Sequence, residues 1–404
     1  MKVMCGRVRG LRCAAALLVL FFAAASGFTQ ETADSILASY ERHFIRANLG
    51  QKAGVLADAA TDERAAEFLG PLYEFALRFT LENSVLFRDD PEMTNLVHLS
   101  VSGIQAQGYG PAAETLWQAF RVFPDNGTKI EILNTLAAVD SGDALAERLN
   151  RLLAEQNGFF TAGFAPNYPI LKALVSVLGK VGNDESYAVL FEALVLPHNS
   201  EFLLNVENAI VSIGRGNLQG FLAKVILQSP IREKEEALRF GLRQNLGGAE
   251  QGALAEAALE AGLQGELAGK TGRYLRLNAA RVIRVQKWAD ALPLAVKYFY
   301  ASEKTYQANP LDGELKADLL DAIQCLGSIE DTDAASILGI NLELANSRME
   351  FFGECDTDIV TAIIDALGAL GYKGVYDTLN RVGFLPYPEN IKSSAREALS
   401  RLAW

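Results

Sequence analysis

The sequence predicts an all-α chain folded as a right-handed α-solenoid, a superhelix of stacked antiparallel helix pairs, on three observations. A segment with apolar residues at i, i+3, i+4 and i+7 recurs along the chain, which is the stripe of an amphipathic helix. The recurrences lie 33 to 43 residues apart, the period of arrays that place two helices in each unit. No stretch alternates with period two for long enough to read as a strand.

Taken from the start, the chain opens on what reads as an export signal. Lys2, Arg7, Arg9 and Arg12 form a basic region, Ala14 to Phe22 an apolar one, and Ala23-Ala24-Ala25 a small-residue cleavage site. The apolar run is shorter than the ~20 residues of a spanning helix. Residues 1–25 are therefore expected to be removed, the mature protein beginning between Ser26 and Gln30, in the periplasm or outside the cell. Removal takes four of the 37 basic residues and none of the 49 acidic ones, so the net charge goes from −12 to −16. A surface of that sign is a poor match for nucleic acid or anionic lipid. With half of its residues apolar and 21% charged, the chain has enough apolar side chains for a continuous core.

Residues 31–87, with helical runs around Ser35 to Ala47 and Ala65 to Leu86, are expected to cap the N-terminal end of the array that fills 88–404. The stripes are Lys129-Ile132-Leu133-Leu136, Leu171-Leu174-Val175-Leu178, Val206-Ala209-Ile210-Ile213 and Arg239-Leu242-Arg243-Leu246, followed by Arg276-Ala279-Ala280-Ile283, Leu319-Ala322-Ile323-Leu326 and Val360-Ile363-Ile364-Leu367. Directly after them come Ala137, Gly179, Gly214, Gly247, Arg284, Gly327 and Gly368. Glycine there suits a left-handed helix cap. Three residues earlier stand Asn134, Ser176, Val211, Gln244, Arg281, Gln324 and Asp365, six of them polar and all expected to face solvent. Short Gly/Asn/Asp links follow each stripe, and links with proline, among them Pro91, Pro124, Pro166, Pro197, Pro230, Pro310 and Pro388, precede the next. Ser393 to Trp404 supplies the last helix.

This pattern resembles HEAT repeats, most clearly in Arg276-Leu277-Asn278-Ala279-Ala280-Arg281-Val282-Ile283 and Ala395-Arg396-Glu397-Ala398-Leu399, and the resemblance runs over roughly 90–404. It implies about eight HEAT-like antiparallel helix pairs. Basic residues at stripe positions 129, 239, 243 and 276 depart from the pattern, and Gly108 to Asn126 is closer to a tetratricopeptide repeat.

Motifs for chemistry fail on inspection. Gly269-Lys270-Thr271 ends like a phosphate-binding loop, but its first glycine would have to be residue 264, which is Gln264. The only histidines, His43, His98 and His198, fall in different repeats. Asp331-Thr332-Asp333 and Asp356-Thr357-Asp358 lack the glycine and distal glutamate of a calcium loop and read as N-caps. Asn126-Gly127-Thr128 is a formal glycosylation sequon placed in a turn. No cofactor is expected. Cys5 and Cys13 leave with the signal, and Cys325 and Cys355, in adjacent repeats, could form one bridge in an oxidising compartment.

HEAT proteins are mostly scaffolds, so the resemblance implies a non-enzymatic protein that holds another protein, with no stable insertion in a membrane after cleavage. Two rivals fit the same architecture: an envelope ligand-binding protein or enzyme with a site in the long links, and a component that self-assembles through a terminal helix ending at Leu402 and Trp404. The long intervals place their extra residues before the stripe helix, at Asn157 to Pro169, Ala301 to Gly313 and Ser347 to Asp358. Insertions on one edge of a solenoid often mark its binding face. These carry Phe159, Phe160, Phe164, Tyr168, Tyr306, Phe351 and Phe352, joined by Phe384 and Tyr387 in the final link, and aromatics of this kind are common interface anchors. The other wall, carrying Ser176, Gln244, Arg281 and Gln324, is the alternative face.

Overall fold

A computed structural model describes residues 34–65, 68–87, 90–214, 216–244, 246–265 and 269–402. The expected signal and Trp404 lie outside the described residues. Among those residues every regular element is helical, with no strand, and no helix is long and apolar enough to cross a membrane. The chain divides into two compact units, one ending at Gly216 and the other beginning at Asn217.

Unit 1 holds α1 (34–46), α2 (Leu49–Thr61), α3 (Gly70–Glu82), α4 (Pro91–Gln107), α5 (Ala113–Val122), α6 (Asn126–Val139), α7 (Asp143–Thr161), α8 (Tyr168–Val181), α9 (Ser186–Val195) and α10 (Ser200–Ser212). Most helices pack on a sequence neighbour, as α3 does on α4 and α7 on α8. In addition, α4, α6, α8 and α10 pack in succession, α3 packs on α5 and α7 on α9. The N-terminal helices share a core of Phe44, Leu56, Leu72, Ala76 and Leu96. Of these, α2 is a helix that the sequence reading leaves out.

Unit 2 holds α11 (Leu218–Gln228), α12 (Ile231–Arg243), α13 (Gly248–Gly262), α14 (Arg273–Gln286), α15 (Leu292–Ala308), α16 (Gly313–Leu326), α17 (Thr332–Phe352), α18 (Thr357–Leu370), α19 (Tyr376–Val382) and α20 (Glu389–Arg401). Here α12, α14, α16, α18 and α20 pack in succession, α11 on α13, α13 on α15, and α17 on α19. Proline opens several helices as expected, at Pro91 of α4 and Pro169 of α8, while Pro230 and Pro388 are the N-caps of α12 and α20.

Six stripes fall on the even-numbered helices with their apolar members buried, including Leu178 and Leu326, which have no exposed surface. The stripe of α12 is misplaced. Its buried face is Lys234-Ala237-Leu238-Gly241, while Arg243 is exposed and α12 ends there, so Leu246 lies beyond it. A lysine and a glycine at two of four positions hide this register from an apolar pattern. Lys234 is buried because its Nζ reaches the last carbonyls of α11, Ile226 at 2.5 Å and Leu227 at 2.6 Å, where a cation meets the negative end of the helix. Arg276 does the same for α13, donating to Gly262 O at 3.0 Å, which accounts for an arginine in the stripe of α14.

The glycines that follow the stripes are not left-handed caps. Gly179 and Gly368 lie inside α8 and α18, Gly327 is a right-handed C-cap, and Gly247 is the N-cap of α13. What three of them share is close approach to the next even helix. A Cβ on Gly179 would lie 3.0 Å from Ala209 Cα, one on Gly327 2.4 Å from Ala366 Cβ, and one on Gly368 2.9 Å from Ala398 Cβ. Glycine opposite alanine lets these helices nest at backbone distance.

The three insertions are links only in their second halves. Asn157 to Thr161 extend α7, Ala301 to Ala308 extend α15, and Ser347 to Phe352 extend α17. Nothing breaks the helices until Gly163, Asn309-Pro310 and Gly353, so the extra residues lengthen them. The terminal helix offers no exposed apolar cue at Leu402, which is buried.

Candidate functional site

Of the nine aromatic residues named from the sequence, eight sit at the C-terminal ends of α7, α15 and α17 or in the links after α7 and α19, and Tyr168 opens α8. They divide into two groups. Four fold back: Phe160 stacks on His198 with centroids 4.0 Å apart, Tyr168 packs on Phe202, Tyr306 Oη donates to Asp356 Oδ2 at 2.6 Å, and Tyr387 Oη donates to Asn346 Oδ1 at 3.1 Å. Five remain in solvent. Phe159 and Phe164 meet edge to face in unit 1, while Phe351 and Phe352, each 78% exposed, and Phe384 at 82% stand out from unit 2.

Beside the exposed ends, each unit carries a groove where a long helix stands off the odd helix before it. In unit 1 the groove opens between α5 and α7, encloses about 660 Å³ and is lined by Trp117, Phe120, Arg121, Lys129, Arg148 and Arg151 with Glu114 and Glu155. Its floor is a parallel stack of Trp117 on Phe120, 5.5 Å apart and nearly covered. Arg148 of α7 pairs with Glu114 of α5 at 2.7 Å, and that hydrogen bond holds the Glu114 carboxyl below the usual carboxylate range.

In unit 2 the groove lies between α15 and α17 and encloses about 120 Å³ over an apolar floor from Leu319, Ile359, Val360 and Ile363. Glu303 of α15 and Arg348 of α17 line it, and burial raises the Glu303 carboxyl above its ordinary value, partly offset by the Arg348 charge. Burial, together with the bond to Asp356, pushes the Tyr306 hydroxyl up to about 12. Asp356 is the N-cap of α18, as read from the sequence, and it also pairs with Lys316 at 3.0 Å.

Cys325 and Cys355 are free thiols, and the bridge that the sequence permits between them is not formed. Cys325 is enclosed in α16, where burial pushes its thiol up to about 12, while Cys355 lines the unit 2 groove. Such thiols are poor nucleophiles. The histidines lie apart: His43 is exposed, His98 faces Glu131, and His198 is enclosed by Phe160, Tyr168 and Phe202 with neither ring nitrogen hydrogen-bonded among the described residues. Lys270 lies in a turn beside Glu314 at 3.1 Å, and Asp125 caps α6 by accepting from Thr128 N at 2.7 Å, which makes Asn126 the first residue of that helix. Of the alternative wall, Ser176, Arg281 and Gln324 are exposed and Gln244 is half-buried.

Neither groove was visible in the sequence, because each depends on a helix keeping its distance from another. The lengths of α7 and α17 were the available signal. No protein-family model matches the chain, and no curated protein matches it in sequence, so the HEAT likeness is one of helix pattern alone.

Proposed function

We propose that this chain is an exported, non-enzymatic scaffold that holds another protein, each unit being a run of right-handed HEAT-like α-solenoid. The observation that carries the reading is the set of exposed phenylalanines at helix ends: Phe159 with Phe164 in unit 1, and Phe351, Phe352 and Phe384 in unit 2. Large apolar rings left in water cost free energy that only a covering partner recovers. The helical extensions that carry most of these rings also support the reading, since they project side chains beyond the shorter helices beside them.

The test is crosslinking capture from the native envelope with the full chain as bait, comparing wild type with Phe159→Ser/Phe164→Ser and Phe351→Ser/Phe352→Ser. Loss of the same captured protein at unchanged melting temperature supports the reading, because exposed positions alter stability by no more than about 0.5 kcal/mol. Equal capture by all three moves the binding face to the wall of Ser176 and Gln324. No specific capture by the wild type sinks the scaffold.

A further inference from the structure

The lining of the unit 1 groove runs against the charge of the rest of the chain. The protein carries 49 acidic and 37 basic residues, yet this groove gathers Arg121, Lys129, Arg148 and Arg151 against Glu114 and Glu155. Two of the four cations have anionic partners: Arg148 pairs with Glu114 at 2.7 Å, and Arg151 lies 3.5 Å from Glu147. Arg121 and Lys129 have no carboxylate within ion-pairing distance among the described residues. Each is held over a ring instead, Arg121 5.6 Å from the centroid of Trp117 and Lys129 5.3 Å from that of Phe120. A ring face steadies a cation but supplies no counter-charge. The result is a pair of positioned cations without a direct ion pair, Arg121 also lying in the field of Glu114, over an aromatic floor in a gap that the stand-off of α7 from α5 keeps open.

We propose that this groove docks a short acidic peptide segment, with carboxylates seated on Arg121 and Lys129; that the occupant is a peptide rests on the protein-binding reading above. Its volume of about 660 Å³ falls in the ~300–1,000 Å³ range of ligand-sized clefts. Planar guanidinium donors match a carboxylate in geometry as well as charge. Length is limited by the surroundings. A long polyanion would run out of the groove onto a chain of net charge −12, and repulsion there acts within a Debye length of about 8–10 Å. A few acidic residues fit without meeting that field, whereas a nucleic acid does not.

Fluorescence anisotropy of a labelled hexaglutamate peptide against the purified full chain tests this. Because the probe is synthetic, the outcome is independent of whether the phenylalanine ends capture a partner. The peptide should bind, with affinity falling as salt rises, and hexaglutamine should not. Arg121→Gln/Lys129→Gln should weaken binding at least about tenfold, the order expected for a lost charge-assisted contact. Lys180→Gln, an exposed cation elsewhere in unit 1, should change it by less than about twofold, as for a screened distant charge. Glu155→Gln removes an anion from the groove and should tighten binding, a gain that misfolding cannot mimic. Unchanged affinity in the double variant, an equal loss in Lys180→Gln, or no gain in Glu155→Gln overturns the proposal. So does displacement by inorganic phosphate at the same concentration as by peptide, which would mark a bare anion site, or tighter binding of a DNA oligonucleotide.

Discussion

The long helices α7 and α17, of 19 and 21 residues, occupy the same place in their two units. Both pack on the next odd helix and stand off the one before. The forward contact is made by the same device: Asn157 of α7 donates to Val189 O of α9 at 3.1 Å, and Asn346 of α17 donates to Thr378 O of α19 at 3.1 Å. Behind each helix an acid on the preceding odd helix faces an arginine on the long one, Glu114 and Arg148 in unit 1, Glu303 and Arg348 in unit 2. The fillings differ. Unit 1 leaves a roomy, cationic groove, whereas unit 2 narrows its own with Tyr306 and Leu344 and keeps a half-buried carboxylate. One helical frame thus supports two kinds of surface, and the side chains at the stand-off decide which.

If the stripe ends are core in both units, breaking one in either should cost about the same. The largest should come from Leu178→Ala in α8 and Leu326→Ala in α16, both without exposed surface. Urea titration should show a loss of about 2–5 kcal/mol at each, from lost burial plus the cavity left behind. A cost below about 0.5 kcal/mol, that of an ordinary surface site, would mean that these helices do not form the core.

The buried asparagines come next and divide the units. Asn157→Ala removes a donor to Val189 O and Glu192, and should cost about 1–3 kcal/mol for the unsatisfied groups left behind. Asn346→Ala should cost more than that, because the buried hydroxyl of Tyr387 loses its acceptor as well. Equal costs in the two variants would show that Tyr387 finds water or another partner, and the forward contact would then be of one strength in both units.

How much of this was legible follows from the kind of signal each feature leaves. The even helices were readable because their buried residues are aliphatic and spaced at 3.6, as in Leu171-Leu174-Val175-Leu178. Helix α12 was misread because Lys234 and Gly241 occupy its buried face, one satisfied by carbonyls of α11 and the other under Leu254. Glycine after a stripe carried two meanings, cap and close approach, and only the neighbour opposite, such as Ala366 for Gly327, separates them. The aromatic ends were found by composition, but which rings fold back depends on partners remote in sequence: His198 for Phe160, Asp356 for Tyr306, Asn346 for Tyr387. The basic groove was illegible for the same reason. Arg121 and Arg148 read as ordinary surface residues, and Lys129 as an exception in its stripe, until three helices bring them together.

The smallest effect, and one that sets the two units apart by sign, is the pH dependence each should add. In unit 1, His198 packs against Phe160, Tyr168 and Phe202, and burial lowers its pKa from 6.5. The unfolded chain then binds a proton that the folded one resists, so this stability is present above pH 6.5 and is lost as pH falls toward the folded pKa. In unit 2 the sign reverses. Burial raises the Glu303 pKa above 4.5, so the folded chain holds the proton longer, and stability is greatest below pH 4.5 and declines as pH rises through the folded value. Urea midpoints of the wild type, His198→Phe and Glu303→Gln across this range check both signs. His198→Phe should flatten the loss on the acid side of 6.5 and leave the rest of the profile in place, whereas Glu303→Gln should flatten only the decline above 4.5. An unchanged acid limb in His198→Phe would mean that the imidazole reaches water, and that the end of α7 is open where Phe160 now covers it.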